Sequence, residues 1–148
     1  MADIERTAEI LSKVPLFQSL GKRQIQSLAR IFIDRKCAAG EVIVPQGRSG
    51  YGFFIIASGA AEAIREHDDE AGVVVNTFGP SDFFGELALL DGGPRTASVV
   101  ATETTECLIL PRSNFLGVLK RDGEMAVTIM IELAKRFRKA LDVYYSVN

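Results

Sequence analysis

Two residues of opposite charge, Glu86 and Arg95, lie nine positions apart in a glycine-rich segment with the residue types that bind phosphate. Gly85 allows a close approach of the backbone to a ligand. Residues 86–89 can form one helical turn, whose free amide groups and positive dipole end attract an anion. A reversal at 92–94 would return Arg95 to the same place, where its guanidinium offers paired donors to phosphate oxygens. Glu86 can accept hydrogen bonds from neutral hydroxyls such as a ribose 2′-hydroxyl.

A purely structural interpretation of the same two residues stays open at this point. Taken as a bare pair, Glu86 and Arg95 are better explained by a salt bridge that fixes a loop. The sequence around them has no nucleophile, acid–base pair or metal cluster, so it predicts binding and gives no sign of an enzyme. The single histidine, His67, lies beside acidic residues 68–70, and a solvated turn explains this run better than a metal site does.

Apolar residues at helical spacing predict helices at both ends of the chain. The predicted helices cover residues 4–14, a short stretch after Gly21, residues 112–120 and a long segment from about 124 to 145. One apolar stripe of the long helix contains Met125, Ile129, Leu133, Phe137, Ala140, Leu141 and Tyr144. A second apolar side contains Val127, Met130, Ile131 and Ala134. Because a helix that is apolar on two sides needs two packing surfaces, we expect one side to pack on the strands and the other on a second subunit.

Short apolar segments with glycine-rich corners lie between these helices. Strands are predicted near residues 31–33, 42–44, 53–57, 61–64, 73–75, 99–100 and 107–110. Strands of this length and spacing are typical of a β-sandwich or barrel. The predicted fold is mainly β with flanking helices, a jelly-roll-like β-roll. We expect one domain over residues 1–148, with N-terminal helices in 1–30, the roll in 31–111, the phosphate-binding segment in 83–98 and C-terminal helices in 112–148.

Composition excludes several classes of partner. A net charge of −2 over 148 residues gives no global attraction to nucleic acid or to an anionic membrane. Cys37 and Cys107 are far apart and lack metal-ligand spacing, so they are predicted to be buried, reduced thiols. No apolar run reaches membrane length, and the N-terminus shows no secretory pattern. We therefore expect a cytoplasmic protein with no direct nucleic-acid or membrane partner.

Several strings of this sequence resemble a known family. FGELAL at 84–89 and PRTASV at 94–99 are similar to the phosphate-binding cassette of the cyclic-nucleotide-binding domain family, including the spacing from glutamate to arginine. The family includes regulatory subunits of cyclic-nucleotide-dependent kinases, cyclic-nucleotide-gated channels and bacterial catabolite-activator-type regulators. The strings LSKVPLF at 11–17, GEVI at 40–43 and FII at 54–56 resemble its helical entry and its early strands. The resemblance covers nearly the whole chain and implies a roll that binds a cyclic nucleotide without reacting with it.

The resemblance also implies a role for each residue of the cassette. Arg95 would pair with the cyclic phosphate, and Glu86 would hold the ribose 2′-hydroxyl. Backbone groups and one hydroxyl would complete the site, at Gly85, Leu87, Ala88, Thr96 and Ala97. The last helix of the family often covers the purine, and the candidates for such a lid here are Arg138, Ala140, Leu141 and Tyr144.

Thr96 leaves the identity of the base open. A hydroxyl next to the phosphate-binding arginine can reach the 2-amino group of a syn guanine, or it can simply bond the phosphate. We favour cAMP as the ligand, with cGMP open, and expect neither a cofactor nor a metal. On binding, the helices after Pro111 would repack over the base, which makes the chain a sensor.

Two alternatives accompany this interpretation. The basic run at 135–139 and the resemblance to catabolite-activator-type regulators suggest the ligand-sensing part of a larger transcription regulator. The long helix uses the chain to about residue 145, so a helix-turn-helix does not fit within these residues. The basic run is explained by solvent and by the favourable interaction of cations with the dipole near a helix C-terminus. The other alternative is a degenerate roll that serves only as an interaction module, which the presence of both Glu86 and Arg95 argues against. The effector protein stays unknown.

Overall fold

The computed structural model of the chain describes residues 3–48, 52–67 and 71–147. The chain divides into two compact units. The first, called here the β unit, contains residues 31–116, and the second, the helical unit, contains residues 3–30 and 117–148. The interpretation of all 148 residues as one domain stays a prediction.

Eight antiparallel strands build the β unit. They are β1 (Ile33–Cys37), β2 (Val42–Val44), β3 (Gly52–Ser58), β4 (Ala61–Arg65), β5 (Val73–Phe78), β6 (Phe83–Phe84), β7 (Ser98–Ala101) and β8 (Thr105–Pro111). One sheet has the order β1-β8-β3-β6 and the other the order β2-β7-β4-β5. Apart from β4 and β5, neighbours in each sheet are distant in sequence, so the chain crosses repeatedly between the sheets. This topology confirms the predicted jelly-roll-like β-roll.

The core of the β unit draws apolar side chains from both sheets. Its members are Cys37, Ile43, Val44, Phe54, Ile56, Ala61, Ala63, Val99, Ala101, Cys107 and Ile109. Cys37 and Cys107 are free and buried, as the sequence predicts. Burial raises the pKa of both thiols, that of Cys107 to about 12, so both stay protonated at neutral pH.

Strand β3 is the central element of the first sheet near the cassette. It lies between β8 and β6, and its first five residues are buried. A strand buried on both faces shows a continuous apolar run without alternation, which explains the pattern at 53–57. Strand β6 was not predicted, because two residues are too few to show any periodicity.

Helices form the second unit and join it to the first. They are α1 (Ile4–Ser12), a 3-10 turn (Pro15–Phe17), α2 (Lys22–Ala29) and α5 (Gly123–Val147), while α4 (Arg112–Arg121) begins in the β unit and continues into the helical unit. The Asp3 side chain caps α1 by accepting a 3.2 Å hydrogen bond from the amide of Arg6. All four helical segments agree with the sequence prediction to within a few residues. No helix within the described ranges is long and apolar enough to span a membrane.

The faces of α5 differ from the two apolar sides predicted. Met125 and Ile129 are buried, whereas Phe137 and Tyr144 are 66% and 63% exposed. The predicted stripe is wrong because most of its members are four residues apart, and each such step turns about 40° around a helix of 3.6 residues per turn. The stripe therefore winds from the buried side to the opposite side. There it joins an exposed apolar surface, the heptad face, composed of Val127, Met130, Ala134, Phe137, Leu141 and Tyr144.

The basic run at 135–139 also differs from its predicted setting. Helix α5 continues to Val147, and its last turn contains no basic residue. Stabilisation by the helix dipole is confined to the last turn. The explanation of this run by the helix C-terminus is therefore wrong, and these cations lie in the middle of the helix.

Candidate functional site

The pairing of β3 with β6 positions the start of the cassette. Phe54 lies opposite Phe84 in the sheet, and their rings stack with centroids 4.9 Å apart and planes 3° from parallel. The ring of Phe78 also packs on Phe84, with the two ring centroids 5.1 Å apart. These contacts fix the chain immediately before Gly85, so the residues that follow leave the sheet at a defined place.

Gly85 has a backbone conformation that other residues rarely adopt, with φ at +89°. A β-carbon at this position would lie 2.5 Å from Nη1 of Arg95 and 2.7 Å from the carbonyl oxygen of Gly52. Both distances are shorter than any van der Waals contact. The missing side chain at Gly85 is therefore what lets the guanidinium lie directly against the cassette backbone.

Arg95 is held by its backbone and by its side chain. Its amide donates to the carbonyl oxygen of Arg48, and its carbonyl accepts from the amide of Gly47, both at 2.9 Å. Its Nη2 donates a 2.6 Å hydrogen bond to the carbonyl oxygen of Gly52. Its Cζ lies 5.6 Å from the ring centroid of Phe54, within the range of a cation–π interaction. The half-buried guanidinium is thus positioned in advance of any ligand.

The short helix of the cassette, α3 (Ala88–Asp91), begins two residues later than the predicted turn at 86–89. Its end is set by Gly92, which has φ at +65° and donates its amide to the carbonyl of Ala88 at 2.8 Å. Leu89 is fully buried, and its amide donates to the carbonyl of Gly85 at 3.1 Å. The glycine cap and the buried leucine therefore decide where the helix lies, and the composition of 86–89 does not.

The structure brings the core of the predicted site together. Gly85 and Arg95 are in contact, and Glu86 and Ala88 are half-buried on the segment between Gly85 and α3. Leu87 and Thr96 are exposed, and Ala97 packs against the core of the β unit.

The predicted lid residues belong to a different unit. Arg138, Ala140, Leu141 and Tyr144 are exposed on α5 in the helical unit. The prediction that they cover a purine stays a prediction.

Sequence reasoning missed three groups at this site. They are the ring of Phe54, the carbonyl of Gly52 and the side chain of Arg112, which donates to the carbonyl of Leu90. Phe54 lies in an apolar run and is indistinguishable there from any other core residue. Gly52 contributes its backbone carbonyl, which every residue type has, so the sequence gives no sign of this role. Arg112 lies outside the cassette strings, and the only sequence signal for it is its position directly after a strand.

A metal site near His67 is the alternative that the acidic residues 68–70 suggest. His67 is exposed, and its neighbours 68–70 lie outside the described residues. The described part of the chain contains no group of three or more metal-binding side chains.

The arrangement in the β unit suits an anion. A guanidinium lies against a glycine whose side-chain position is open, and the first turn of α3 follows three residues later. A phosphate held here would meet a fixed cation and the backbone amides that precede a helix. Recognition of this kind needs positioned donors and no reacting group.

Comparison with known proteins identifies the family to which the chain is similar. A family model described as cyclic nucleotide-binding domain matches residues 34–122. A cyclic AMP receptor protein from Thermus thermophilus is 35% identical over 126 residues, which are 85% of this chain and 58% of that protein. A cAMP-dependent protein kinase regulatory subunit from Yarrowia lipolytica is 40% identical over 104 residues, which are 70% of this chain and 26% of that protein. The N-terminal domain of a transcriptional regulator from Streptomyces coelicolor superposes with a TM-score of 0.81 at 28% identity, covering 90% of this chain and 95% of that domain.

The chain therefore belongs to the cyclic nucleotide-binding domain family, and the resemblance inferred from the cassette is confirmed. It spans 58% and 26% of the lengths of the two curated relatives.

Proposed function

We propose that this chain is a sensor domain that binds a cyclic nucleotide monophosphate, with cAMP favoured and cGMP open. The observation that carries the proposal is the guanidinium of Arg95, which Gly52 and Phe54 hold against the bare backbone of Gly85. The names of the two curated relatives refer to cAMP, which favours cAMP here. The ligand is bound and released unchanged, and neither a cofactor nor a metal takes part.

Each cassette residue has a separate role in the proposal. Arg95 pairs with the cyclic phosphate through charge-assisted hydrogen bonds. Glu86 accepts a hydrogen bond from the ribose 2′-hydroxyl, a neutral donor that a carboxylate can bind. The sugar-phosphate site is completed by the backbone of Gly85, Leu87 and Ala88, the hydroxyl of Thr96 and the amide of Ala97. The exposure of Leu87 and Thr96 is consistent with backbone and hydroxyl groups that are open to a ligand.

Binding acts as a switch in this proposal. Ligand affinity must be greater for one arrangement of the C-terminal helices than for the other, because only such a difference shifts a conformational equilibrium. The lid candidates Arg138, Ala140, Leu141 and Tyr144 would cover the purine in the high-affinity arrangement. A cytoplasmic location is part of the proposal, and the free thiols of Cys37 and Cys107 fit a reducing compartment.

Substitution of Thr96 tests which base the site accepts. We expect wild type to bind cAMP more tightly than cGMP, and Thr96→Ala to weaken the binding of each by a similar amount, about 0.5–1.5 kcal/mol, because the hydroxyl bonds the phosphate common to both. Calorimetric titration with each nucleotide measures the two losses. The control is Thr77→Ala, which removes an exposed hydroxyl from β5 of the same unit and should change neither affinity. A loss confined to cGMP would show instead that the hydroxyl reads guanine.

The heptad face of α5 supports self-association. Its six residues follow spacings of three and four, the pattern of the contact positions in a two-stranded coiled coil. Met130 is 60% exposed and lies in the middle of the part predicted from sequence, with Val127, Ile131 and Ala134 around it. We propose that a second copy of the chain covers α5 around Met130, at Val127, Met130, Ile131 and Ala134, which leaves the lid candidates Leu141 and Tyr144 outside the contact.

Met130→Glu should prevent this association. A buried carboxylate at a contact position leaves a charge without a partner, so we expect wild type to sediment as a dimer and the variant as a monomer. Lys139→Glu is the control, because Lys139 is exposed on the opposite side of α5 and its charge reversal should leave the dimer intact. Sedimentation velocity at several concentrations gives the result. A wild type that remains monomeric with and without nucleotide would contradict the proposal.

A second function is supported by the comparisons. The chain covers 95% of a domain described as the N-terminal part of a transcriptional regulator, and 58% of the Thermus thermophilus protein. In that case the chain is the ligand-sensing part of a larger regulator, and it contacts no nucleic acid itself. Mass spectrometry of the native protein purified from cells distinguishes the two functions. A mass near that of this chain supports a separate sensor domain, and a larger mass supports the sensing part of a regulator.

A further inference from the structure

The end of the cassette helix α3 is bound by an arginine from the next helix along the chain. Nη2 and Nε of Arg112 donate hydrogen bonds of 2.7 Å and 3.2 Å to the carbonyl oxygen of Leu90. Helix α3 has four residues, and the last carbonyls of any helix have no partner within it. Arg112 therefore gives a charged, two-pronged donor to one of these carbonyls.

Gly92 provides the space for this contact. A β-carbon there would lie 3.2 Å from both Nε and Cζ of Arg112, which is tighter than most real contacts. The left-handed conformation of Gly92 also ends α3. One glycine thus stops the helix and lets the guanidinium reach its last turn.

The two ends of α3 face different partners. The N-terminal end follows Gly85 and belongs to the proposed phosphate site, while the C-terminal end is held by Arg112. Between these two ends lies Leu89, which is fully buried and donates its amide to the carbonyl of Gly85, so the short helix is anchored between the two partners. Arg112 itself comes directly after β8 and is the first residue of α4, whose residues 117–121 belong to the helical unit.

We propose that Arg112 is a positioning residue that couples nucleotide occupancy of the cassette to the start of α4. This inference rests on the proposed function and adds the residue that transmits the signal. Coupling between two sites is reciprocal, so a change that loosens the start of α4 must also lower the affinity for the nucleotide. We expect Arg112→Ala to weaken nucleotide binding about tenfold, near the lower end of the range usual for coupled sites.

Hydrogen–deuterium exchange with cAMP separates binding from transmission. In wild type we expect cAMP to slow exchange in peptides covering 84–97 and to change exchange in peptides covering 112–121. In Arg112→Ala at saturating cAMP, the cassette response should persist and the response at 112–121 should disappear. Arg112→Lys keeps the cation but loses the fork of two donors, so its response at 112–121 should be intermediate.

Arg121→Ala is the matched control, because it removes the exposed arginine at the other end of α4 and should behave as wild type. A full response at 112–121 in Arg112→Ala overturns the coupling role and leaves the proposed function intact. If that variant does not fold, a wild-type response in Arg112→Lys overturns it equally. A wild type with no response in the cassette overturns the proposed function and the coupling role together.

Discussion

Replacing Arg95 with alanine is expected to reduce the affinity for cAMP by about 2–5 kcal/mol, the cost of removing one partner from a buried, hydrogen-bonded charge pair. The guanidinium supplies the only fixed cation that the described structure places against Gly85. Its removal leaves the phosphate of a bound nucleotide with backbone donors and the Thr96 hydroxyl, and without a cation. Calorimetric titration of wild type and variant gives the difference directly.

Two further variants make this result specific. Arg95→Lys keeps the charge but cannot offer two parallel donors, so we expect an affinity between those of wild type and Arg95→Ala. Arg65→Ala removes an exposed arginine at the end of β4 in the same unit and should bind as wild type. An Arg95→Ala chain that is folded and binds cAMP with wild-type affinity would exclude Arg95 from the phosphate site.

Gly85→Ala should lower both the stability of the fold and the affinity for nucleotide. Forcing an alanine into the left-handed backbone region costs about 1–2 kcal/mol. The new β-carbon would also lie 2.5 Å from Nη1 of Arg95 and 2.7 Å from the oxygen of Gly52, so the guanidinium has to leave its position. We therefore expect a binding loss comparable to that of Arg95→Ala, together with an unfolding free energy reduced by about 1–3 kcal/mol.

Urea unfolding and calorimetry measure the two effects of Gly85→Ala separately. Gly79→Ala is the control, because the nearest atom to its new β-carbon is the Asp82 carboxylate at 4.0 Å and its backbone is not left-handed. That variant should match wild type in both measurements. Unchanged affinity in Gly85→Ala would mean that close approach of Arg95 to the cassette backbone is not needed for binding.

Most of the fold was predictable because its elements carry strong local signals. Helix α5 was predicted to within about two residues at each end from its apolar repeats, and most strands of the roll followed from short apolar runs. The first strand was wrong in its bounds: it was predicted at 31–33, but β1 runs from Ile33 to Cys37 through three polar residues that give no apolar signal. Strand β6 gave no signal because it has two residues. The faces of α5 were harder, since residues four apart drift around a helix and only the folded chain shows which of them are buried.

The sequence predicts which residues form the candidate site, but it does not predict how they are arranged. Glu86 and Arg95 are ambiguous as a pair and gain meaning from the glycines and the proline between and around them. The position of α3 depends on Gly92 and on the burial of Leu89, which are tertiary effects. Gly52 and Arg112 contribute to the site through contacts with Arg95 and Leu90, which are distant from them in sequence. Their residue types alone do not indicate these contacts.

Calorimetric titration of the wild-type chain with cAMP, with linear 5′-AMP as the comparison, tests the central claim most directly. We expect one site per chain, micromolar or tighter affinity for cAMP, and weaker binding of 5′-AMP. The linear 5′-phosphate is not tied to the 3′-oxygen of the sugar, so it loses conformational freedom when Arg95 binds it. Titration with cGMP distinguishes the two bases. An absence of binding heat at saturating concentrations of both cyclic nucleotides, confirmed by unchanged thermal unfolding, would contradict the account.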